Sequence, residues 1–306
     1  MIIVTGAAGF IGFNIAKRLN LMGIKDLILF DDKEKFSNPK KFSDLNYIDY
    51  RHYTDLNNLK NIQCIFHEGA CSDTMEYNKD YMMGINYEYS KEIFSIAKSN
   101  KAKFIYASSA SVYGLNENSQ EIEKNESQLN IYAESKLLFD KFIINQDYPA
   151  VGLRYFNCYG RGEENKGKMA SMAYKMNQEY LESKKISLFK GTGGYMDGEQ
   201  KRDFIYIDDV VSINMFFMNV SFHDVYNVGT GKAESFNEIA KNIFKYYKDE
   251  DLNFNYIEMP EYLVPKYQNF TQANISKLRE AGYSDDFFSL EEGIKNYVND
   301  LNTSSE

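Results

Sequence analysis

The sequence predicts an α/β protein in which a doubly wound parallel sheet is joined to a smaller C-terminal lobe. Apolar segments with the length of buried strands alternate with amphipathic segments from residue 1 to about residue 155, which is typical of parallel βαβ units. The alternation becomes irregular after Tyr159-Gly160. We therefore predict a first domain over 1–159, which 204–235 rejoins, and a second lobe over 160–203 and 236–306.

The elements of the first half follow from hydrophobic periodicity. Met1–Thr5 is a short apolar run without a basic leader, so it predicts a buried strand rather than a secretion signal. Residues 33–61 are polar and predict irregular structure. The other predicted strands cover 27–30, 62–67, 103–107 and 150–155, and the predicted helices cover 10–22, 75–98 and 132–145.

The second half contains fewer regular segments. A glycine-rich loop is expected over 190–201, and a strand over 204–207. Asp208-Asp209 follows that strand, and aspartates at this position would cap the next helix. Further helices are predicted over 169–183, 237–247, 271–281 and 290–301.

Composition and charge argue against several classes of protein. The chain is 43% hydrophobic, which indicates a globular protein, and it has no run of about 18 apolar residues that would predict a membrane span. A net charge of −9 argues against a nucleic-acid-binding surface. The three cysteines and three histidines lack metal-ligand spacing. We expect a cytoplasmic, reduced protein that binds no metal ion, nucleic acid or membrane.

A glycine-rich turn connects the first strand to the first helix. Gly6, Gly9 and Gly12 follow the strand and open the helix, which is the context of a dinucleotide-binding turn in a Rossmann-like sheet. Glycines let the backbone approach a pyrophosphate, and the positive end of the helix favours its negative charge. The predicted cofactor turn is therefore Gly6–Gly12, which includes Phe10 and Ile11.

Two adjacent acids, Asp31 and Asp32, follow the second strand. An acid at this distance from the glycines hydrogen-bonds the adenosine ribose, and two acids would repel the 2′-phosphate of NADP. Lysines follow closely at positions 33, 35, 40 and 41, and Lys41 is the candidate to pair with that phosphate. The charges leave the choice between NAD and NADP open.

Tyr132 and Lys136 form a predicted acid–base pair. Side chains four residues apart lie on the same face of a helix. A free tyrosine has a pKa of about 10, and a neighbouring ammonium lowers it because the cation stabilises the phenolate. Proton transfer then becomes possible near neutral pH. The serines Ser108-Ser109 stand between the glycine turn and this pair, in the order that such a device needs.

The GxxGxxG spacing with a downstream YxxxK resembles the extended branch of the short-chain dehydrogenase/reductase superfamily. Within that branch, the string Phe-His-Glu-Gly-Ala-Cys-Ser-Asp-Thr over 66–74 resembles the hallmark of the ADP-L-glycero-D-manno-heptose 6-epimerases, which make the heptose donor for bacterial lipopolysaccharide core. The resemblance covers nearly the whole chain. It extends through 81–83, 86–87, 106–110, 154–157, 166–171, 201–204, 227–231 and 267–271.

The resemblance implies an epimerase that acts on ADP-heptose. In such a reaction the nicotinamide takes a hydride from C6″, giving a transient ketone, and returns it to the opposite face. Tyr132 and Lys166 would be the two acid–base groups. Lys136 would hold the nicotinamide ribose, and Ser109 would hydrogen-bond the reacting oxygen. The family also suggests NADP as the cofactor, with NAD as the alternative, and a homo-oligomer, specifically a pentamer.

The remaining site residues are carried over from matching positions of the family. Beyond the glycine turn, the implied cofactor-binding set is Asp31, Asp32, Lys41, Glu68, Gly69, Ala70, Cys71, Ser72, Asn86, Tyr132, Lys136 and Cys158. The implied substrate-binding set is Ser109, Asn157, Lys166, Lys168, Lys175, Phe189, Lys190, Gly191, Thr192, Arg202 and Tyr267. Arg202 is the natural fork for phosphate. Lys168 and Lys175 depart from the commoner Ser and His, and the loop over 193–200 is longer than in some members.

Two alternatives stay open. Another nucleotide-sugar epimerase of the superfamily, such as a hexose 4-epimerase, is the nearest. A non-catalytic dinucleotide-sensing protein needs only the glycine turn, so the retained Tyr132, Lys136 and Ser109 argue against it. A 4,6-dehydratase is disfavoured because Ala110 and Ser111 cannot serve as the acid that expels water.

Overall fold

The computed structural model describes residues 1–32, 34–35, 42–43 and 45–303. The chain divides into two compact units. The first comprises Met1–Val112, Asn130–Arg154 and Val211–Tyr226, and the second comprises Tyr113–Leu129, Tyr155–Val210 and Asn227–Glu306. Residues 211–226 thus belong to the first unit and 204–210 to the second. The predicted domain boundaries stay a prediction.

The regular elements are as follows. The strands are β1 (Ile2–Thr5), β2 (Leu27–Asp31), β3 (Asp49–His52), β4 (Cys64–His67), β5 (Lys103–Ser109), β6 (Val151–Tyr155), β7 (Asn157–Tyr159), β8 (Ile186–Phe189), β9 (Lys201–Tyr206), β10 (Asp224–Val228), β11 (Ala233–Ser235) and β12 (Phe254–Ile257). The α-helices are α1 (Phe10–Leu21), α2 (Lys79–Met83), α3 (Tyr89–Asn100), α4 (Ile131–Ile144), α5 (Met172–Ser183), α6 (Ile207–Asn219), α7 (Phe236–Tyr246), α8 (Ser276–Glu280) and α9 (Leu290–Thr303).

A seven-stranded sheet in the order β3-β2-β1-β4-β5-β6-β10 organises the first unit. Strand β1 pairs in parallel with β2 on one side and with β4 on the other. The direction of winding reverses between β1 and β4, and open α/β sheets bind ligands at the carboxyl ends of the strands at such a point. This Rossmann-like sheet confirms the predicted fold class.

Aromatic side chains form much of the core of the first unit. Phe104 on β5 is 1% exposed, and its ring centroid lies 5.4 Å from that of Phe94 on α3 and 6.4 Å from that of Phe139 on α4. A fully buried Phe contributes about 1.5–3 kcal/mol through the hydrophobic effect. Because α3 and α4 share this core with β5, the core fixes both helices against the sheet.

The second unit has two small sheets of its own, β11-β9-β7 and β12-β8. Phe244 on α7 is buried and contacts the rings of Tyr180 on α5 and Phe254 on β12, with centroids 5.4 and 5.5 Å away. No helix in the described part of the chain is long and apolar enough to cross a membrane. The described residues also contain no group of three or more His, Cys, Asp or Glu side chains that could hold a metal ion.

Strand β3 lies in the stretch that the sequence predicts to be irregular. Its residues, Asp-Tyr-Arg-His over 49–52, show no apolar alternation. It forms the edge of the sheet, where β2 is its partner. Edge strands tolerate polar and charged side chains, so periodicity alone misses such a strand. The short strands β7, β8, β10, β11 and β12 were likewise not predicted.

The helix predicted over 75–98 begins four residues later, at Lys79. Asn78 caps it, because its side-chain oxygen accepts a hydrogen bond from the backbone N–H of Tyr81 at 3.0 Å. A π-helical turn over Gly84–Glu88 then separates α2 from α3. Such turns add one residue to the helical repeat and occur frequently at functional sites.

Two predictions for the second half were wrong in detail. The helix predicted over 271–281 is only Ser276–Glu280, because the backbone N–H groups of Thr271 and Ala273 bond instead to Lys201 O and to the Asp203 carboxylate. Asp208-Asp209 lies inside the first turn of α6, not at its cap position. Asp208 pairs with Arg161, and Asp209 accepts the N–H of Phe288 at 3.1 Å.

Candidate active site

The glycine turn after β1 lies against the segment that follows β4. Gly6 has a φ of +62°, and a Cβ atom there would lie 2.7 Å from the backbone carbon of Glu68 and the nitrogen of Gly69. A Cβ at Gly12 would overlap the carbonyl oxygen of Gly6. Helix α1 starts with Gly9 as its N-cap, without a side-chain cap and without an acidic residue in its first turn. The turn therefore fits an anion such as a pyrophosphate.

Asp31 is buried beside this turn and holds it in place. One carboxylate oxygen accepts the backbone N–H of Ala8 at 3.0 Å, and the other accepts that of Asp32 at 2.8 Å. The ammonium of Lys35 pairs with the second oxygen at 3.1 Å and is itself largely exposed. The Lys35 ammonium therefore lies beside Asp31, where the adenosine ribose is expected. Lys41, the candidate from the sequence, lies outside the described residues.

The segment after β4 is held at two points. The N–H of Gly69 donates to Thr5 Oγ1 at 2.9 Å. The side chain of Asn86, in the π-helical turn, accepts the N–H of Cys71 at 2.8 Å and donates to its carbonyl at 2.9 Å. Ala70 is partly buried and Ser72 is exposed. Asn86, expected as a cofactor contact, therefore supports the backbone of another expected cofactor residue.

Helix α4 carries the predicted acid–base pair. Asn130 caps the helix by accepting the N–H of Ala133 at 2.8 Å, which places Tyr132 in the first turn. The Lys136 ammonium lies 6.0 Å from the centroid of the Tyr132 ring and donates to Ala107 O at 2.8 Å. Burial lowers the pKa of Lys136 to about 8, although the Glu68 and Asp140 carboxylates oppose this effect.

The two serines before the pair have different environments. Both lie on β5, which is two residues longer than predicted. The Ser109 hydroxyl accepts the N–H of Ser111 at 3.2 Å and is partly buried. The Ser108 hydroxyl is buried and donates to Asp140 at 2.9 Å. Successive strand residues face opposite sides of a sheet. Of the two serines, only Ser108 therefore faces the side on which Asp140 of α4 lies.

Asp140 accepts hydrogen bonds from three side chains and was missed by the sequence analysis. It accepts from Tyr106 at 3.0 Å, from Ser108 at 2.9 Å and from the Arg154 guanidinium at 2.9 Å. Asp140 and Arg154 are both almost completely buried. Asp140 stands four residues after Lys136, so the helical spacing was the available signal. This network links α4 to β5 and β6.

In the second unit, a single carboxylate holds the segment that carries Lys166. Glu163 is fully buried and accepts the N–H of Gly160 at 3.2 Å and both the N–H and hydroxyl of Ser171, at 2.6 and 2.7 Å. Ser171 in turn caps α5. Lys166 lies between these anchors on a 3₁₀ turn over Glu164–Met169. No feature of the sequence pointed to Glu163.

Arg202 on β9 is a buried cation. Its guanidinium lies 5.0 Å from the centroid of the Tyr267 ring and 5.6 Å from that of Phe236. It donates to Lys201 O at 2.8 Å, and within the described residues no carboxylate forms an ion pair with it. Burial lowers the pKa of Arg202. A buried charge without a counter-ion is unfavourable, so the site is suited to an anionic ligand.

Other predicted substrate residues lie on the same unit. The Phe189 ring contacts Tyr267, with centroids 6.1 Å apart, and the Thr192 hydroxyl bonds to the Asn269 side chain at 2.7 Å. Lys190 pairs through its ammonium with Glu258 at 2.6 Å, and the backbone N–H of Gly191 donates to Asp197 at 2.8 Å. On β7, the predicted residue Asn157 is exposed and Cys158 is partly buried. Lys168 is exposed on the 3₁₀ turn, and Lys175 is exposed on α5.

Comparison with known proteins identifies the chain. Residues 2–229 match the family described as NAD dependent epimerase/dehydratase. The chain belongs to this family. It is 45% identical, over 326 aligned residues, to the ADP-L-glycero-D-manno-heptose-6-epimerase of Brachyspira hyodysenteriae, and the alignment covers 99% of this chain and 98% of that protein. Within the NAD dependent epimerase/dehydratase family, the chain therefore belongs with the ADP-heptose 6-epimerases, which confirms the resemblance read from the motifs.

One solved structure agrees with the assignment, and a more distant one shares the fold. The ADP-L-glycero-D-manno-heptose-6-epimerase of Helicobacter pylori is 34% identical, with a TM-score of 0.85, and the match covers 98% of this chain and 96% of that one. A UDP-N-acetylglucosamine 4-epimerase from Methanobrevibacter ruminantium is 24% identical, with a TM-score of 0.84 and coverage of 99% and 98%. The second comparison shows the shared fold alone.

Proposed function

We propose that this protein of the NAD dependent epimerase/dehydratase family inverts C6″ of ADP-glycero-manno-heptose, converting the D,D form to the L,D form, in lipopolysaccharide core heptose biosynthesis. The full-length identity of 45% to an ADP-heptose 6-epimerase carries the proposal. The Tyr132–Lys136 pair and the buried Arg202 support it, because they are groups that a redox epimerase acting on a nucleotide sugar needs.

When bound, a nicotinamide dinucleotide supplies the hydride acceptor that oxidises C6″ and the hydride donor that reduces it again. The chain would hold this cofactor with the Gly6–Gly12 turn, Asp31 and the Glu68–Cys71 segment. The glycines lack the Cβ atoms that would fill the approach. The positive end of α1 would stabilise the pyrophosphate.

Tyr132 would remove the proton of the C6″ hydroxyl as that carbon becomes a carbonyl. The Lys136 ammonium near its ring favours the phenolate, which is the form that can accept this proton. Ser109 would hydrogen-bond the same oxygen and keep it within reach of Tyr132. Lys136 is held by the Ala107 carbonyl, so its charge has a fixed position.

Lys166 would be the second acid–base group. Inversion requires that the carbonyl be reduced on the opposite face, where a different proton donor must serve the oxygen. The two anchors that Glu163 provides would limit the movement of the Lys166 segment.

Arg202 would bind the diphosphate of the substrate. Its planar guanidinium offers paired N–H donors that match two phosphate oxygens, and the neighbouring Tyr267 and Phe236 rings limit its rotamers. The other proposed substrate contacts are Asn157, Lys168, Lys175 and Phe189–Thr192.

We further propose NADP as the cofactor. Asp31 and Asp32 alone would favour NAD. However, Lys35 already pairs with Asp31 and is largely exposed, so it can also pair with a 2′-phosphate. Lys41 in the following segment is a second candidate for this pairing.

The decisive experiment follows the C6″ configuration by NMR after the purified protein is incubated with the D,D form of ADP-heptose in D₂O. Both epimers should form without net loss of nicotinamide, and the H6″ position should stay free of solvent deuterium because the original hydride returns. The Tyr132→Phe variant should be inactive. Turnover of UDP-hexose without conversion of ADP-heptose would assign a hexose 4-epimerase, and dinucleotide binding without turnover of either sugar would assign a sensor.

The homo-oligomeric, pentameric state and the cytoplasmic location stay predictions. Light scattering of the purified protein measures the first. Cell fractionation measures the second.

A further inference from the structure

His67 lies in a buried hydrogen-bonded chain that the proposed reaction does not use. It ends β4, directly before the Glu68–Cys71 segment. Its Nδ1 atom lies 2.8 Å from Thr5 Oγ1, and its Nε2 atom lies 2.8 Å from Ser90 Oγ. Each of these three residues is at most 3% exposed. The imidazole ring is stacked near the Phe104 ring, at a centroid distance of 5.9 Å.

The proton inventory fixes the direction of this chain. The Ser90 hydroxyl has one proton, which it donates to Asn86 O at 2.8 Å, so Ser90 Oγ accepts from an N–H at Nε2 of His67. Burial and the nearby Lys136 ammonium lower the pKa of His67 to about 3, so the ring is neutral and carries a single N–H. Nδ1 then accepts the proton of the Thr5 hydroxyl, and Thr5 Oγ1 accepts the N–H of Gly69 at 2.9 Å.

The hydrogen-bonded series of Thr5, His67 and Ser90 joins the two anchors of the Glu68–Cys71 segment. Thr5 holds Gly69, and the Asn86 side chain holds the backbone of Cys71. His67 bonds to Thr5 on one side and, through Ser90, to the Asn86 carbonyl on the other. The Glu68–Cys71 segment is within 2.7 Å of the position that a Cβ atom would take at Gly6. Any shift of this segment therefore changes the space next to the glycine turn.

We propose that His67 is a positioning residue, which holds the Glu68–Cys71 segment against the glycine turn in the arrangement that a dinucleotide requires. The proposal rests on the proposed function, because it assumes that a nicotinamide dinucleotide binds at this turn. His67 is only 3% exposed, so the proposed role is exerted through Thr5 and Ser90 and not by direct contact with a ligand. If the hydrogen bonds of this series are reversed or broken, the Gly69 N–H or the Thr5 hydroxyl is left without its partner. The Glu68–Cys71 segment then loses one of its two anchors.

Direct binding of NADPH tests this role. The chain contains no Trp, so nucleotide fluorescence can be titrated without an indole background. The Thr5→Val variant keeps the shape of the side chain but removes the hydroxyl that links Gly69 to His67. We expect its dissociation constant for NADPH to rise about tenfold, which corresponds to about 1.4 kcal/mol. The Thr5→Ser variant retains the hydroxyl and should bind as the unaltered protein does.

Two further variants separate positioning from general stability. His67→Phe keeps an aromatic ring but removes both nitrogen atoms, and it should weaken NADPH binding as much as Thr5→Val does. Ser235→Ala removes the buried cap of α7 in the second unit, so it should lower the denaturation midpoint without changing the dissociation constant. Thr5→Val binding NADPH as tightly as the unaltered protein, with a midpoint lowered as in Ser235→Ala, would overturn the proposal.

The outcome also separates this proposal from the proposed function. Tight NADPH binding that is lost in Thr5→Val supports the positioning role even if ADP-heptose is not converted. Absence of both NADPH and NADH binding by the unaltered protein overturns both proposals.

Discussion

The environment of Lys136 shows how burial and charge act together on a single residue. Burial lowers its pKa to about 8, while the carboxylates of Glu68 and Asp140 act in the opposite direction. The side chain therefore remains mostly protonated at neutral pH. Because its ammonium is also held by Ala107 O at 2.8 Å, it is a fixed positive charge beside Tyr132.

Replacement of Lys136 by Met should move the acid limb of the kcat profile to higher pH. The phenolate of Tyr132 loses its neighbouring cation, and a nearby opposite charge shifts a pKa by about one to three units. At pH 7 the activity should thus fall about tenfold or more. Affinity for the dinucleotide should also fall, because the proposed ribose contact is lost. Rate measurements across pH 6–10 check the shift.

The matched control is Lys141→Met, on the same helix but at an exposed position. Its pH profile should equal that of the unaltered protein. If Lys136→Met also leaves the profile and the activity intact, Lys136 has no part in the mechanism.

Among the elements, one side chain anchors both ends of the segment 160–171. Glu163 accepts hydrogen bonds from Gly160 at one end and from Ser171 at the other. The Lys166 turn between them contains Gly167 with a φ of +53°, a conformation that glycine adopts without strain. The carboxylate therefore ties together the two ends of the segment that carries the Lys166 turn.

Replacement of Glu163 by Ala should lower kcat at least about tenfold and leave NADPH affinity unchanged. The Gly160 and Ser171 N–H groups lose their acceptor, at a cost of about 1–3 kcal/mol per buried unsatisfied group, and Lys166 is no longer held. Steady-state kinetics and fluorescence titration together check this split, because the dinucleotide turn belongs to the other unit.

Glu164→Ala provides the comparison for this variant. The Glu164 side chain is exposed, and it accepts the N–H of Gly162 at 3.0 Å. Its kinetics should match those of the unaltered protein. A parallel loss of kcat and NADPH affinity in Glu163→Ala would indicate general destabilisation instead of a specific effect on the Lys166 segment.

At the scale of the whole molecule, an acidic protein is proposed to bind two anionic ligands. The net charge is −9, so binding depends on local groups rather than on the overall field. The positive end of α1, the Lys35 ammonium and the Arg202 guanidinium supply this local charge. Exposed charges such as Lys35 are screened by salt, whereas buried ones such as Arg202 are screened much less.

The preference for NADP over NAD should accordingly be mild and should decrease as salt is added. One exposed ion pair contributes about 0.2–1 kcal/mol, which is less than tenfold in affinity. Mass spectrometry of the nucleotide released by denaturation gives its identity, and titration of NADPH and NADH at low and high salt gives the ratio. Release of NAD alone would contradict the proposal and support the simpler interpretation, in which the charges of Asp31 and Asp32 favour NAD. Lys35→Ala should reduce the ratio if this lysine pairs with the 2′-phosphate.

Much of the fold could be predicted because it depends on local patterns. The buried strands β1 and β2 are continuous apolar runs up to their last residues, Thr5 and Asp31, and α1 and α4 begin and end within one residue of their predicted bounds. The polar edge strand β3 and the late start of helix α8, at Ser276 instead of residue 271, could not be predicted in this way. The strand depends on pairing with β2. The start of the helix depends on hydrogen bonds that the N–H groups of Ala273 and Thr271 donate to the Asp203 carboxylate and the Lys201 carbonyl, which are distant in the chain.

The glycine turn, the same-face spacing of Tyr132 and Lys136 and the family resemblance could all be predicted from the sequence alone. These features reside in consecutive residues, whose spacing on a strand, turn or helix is set by backbone geometry. Which buried polar groups meet depends, by contrast, on the folding of distant segments. Thr5 and His67 are separated by 62 positions and His67 and Ser90 by 23, and the pairing of Asp140 with Arg154 joins a helix to a strand. The physical reason is that a buried polar group must find a partner, and the fold of distant segments determines which partner is within reach.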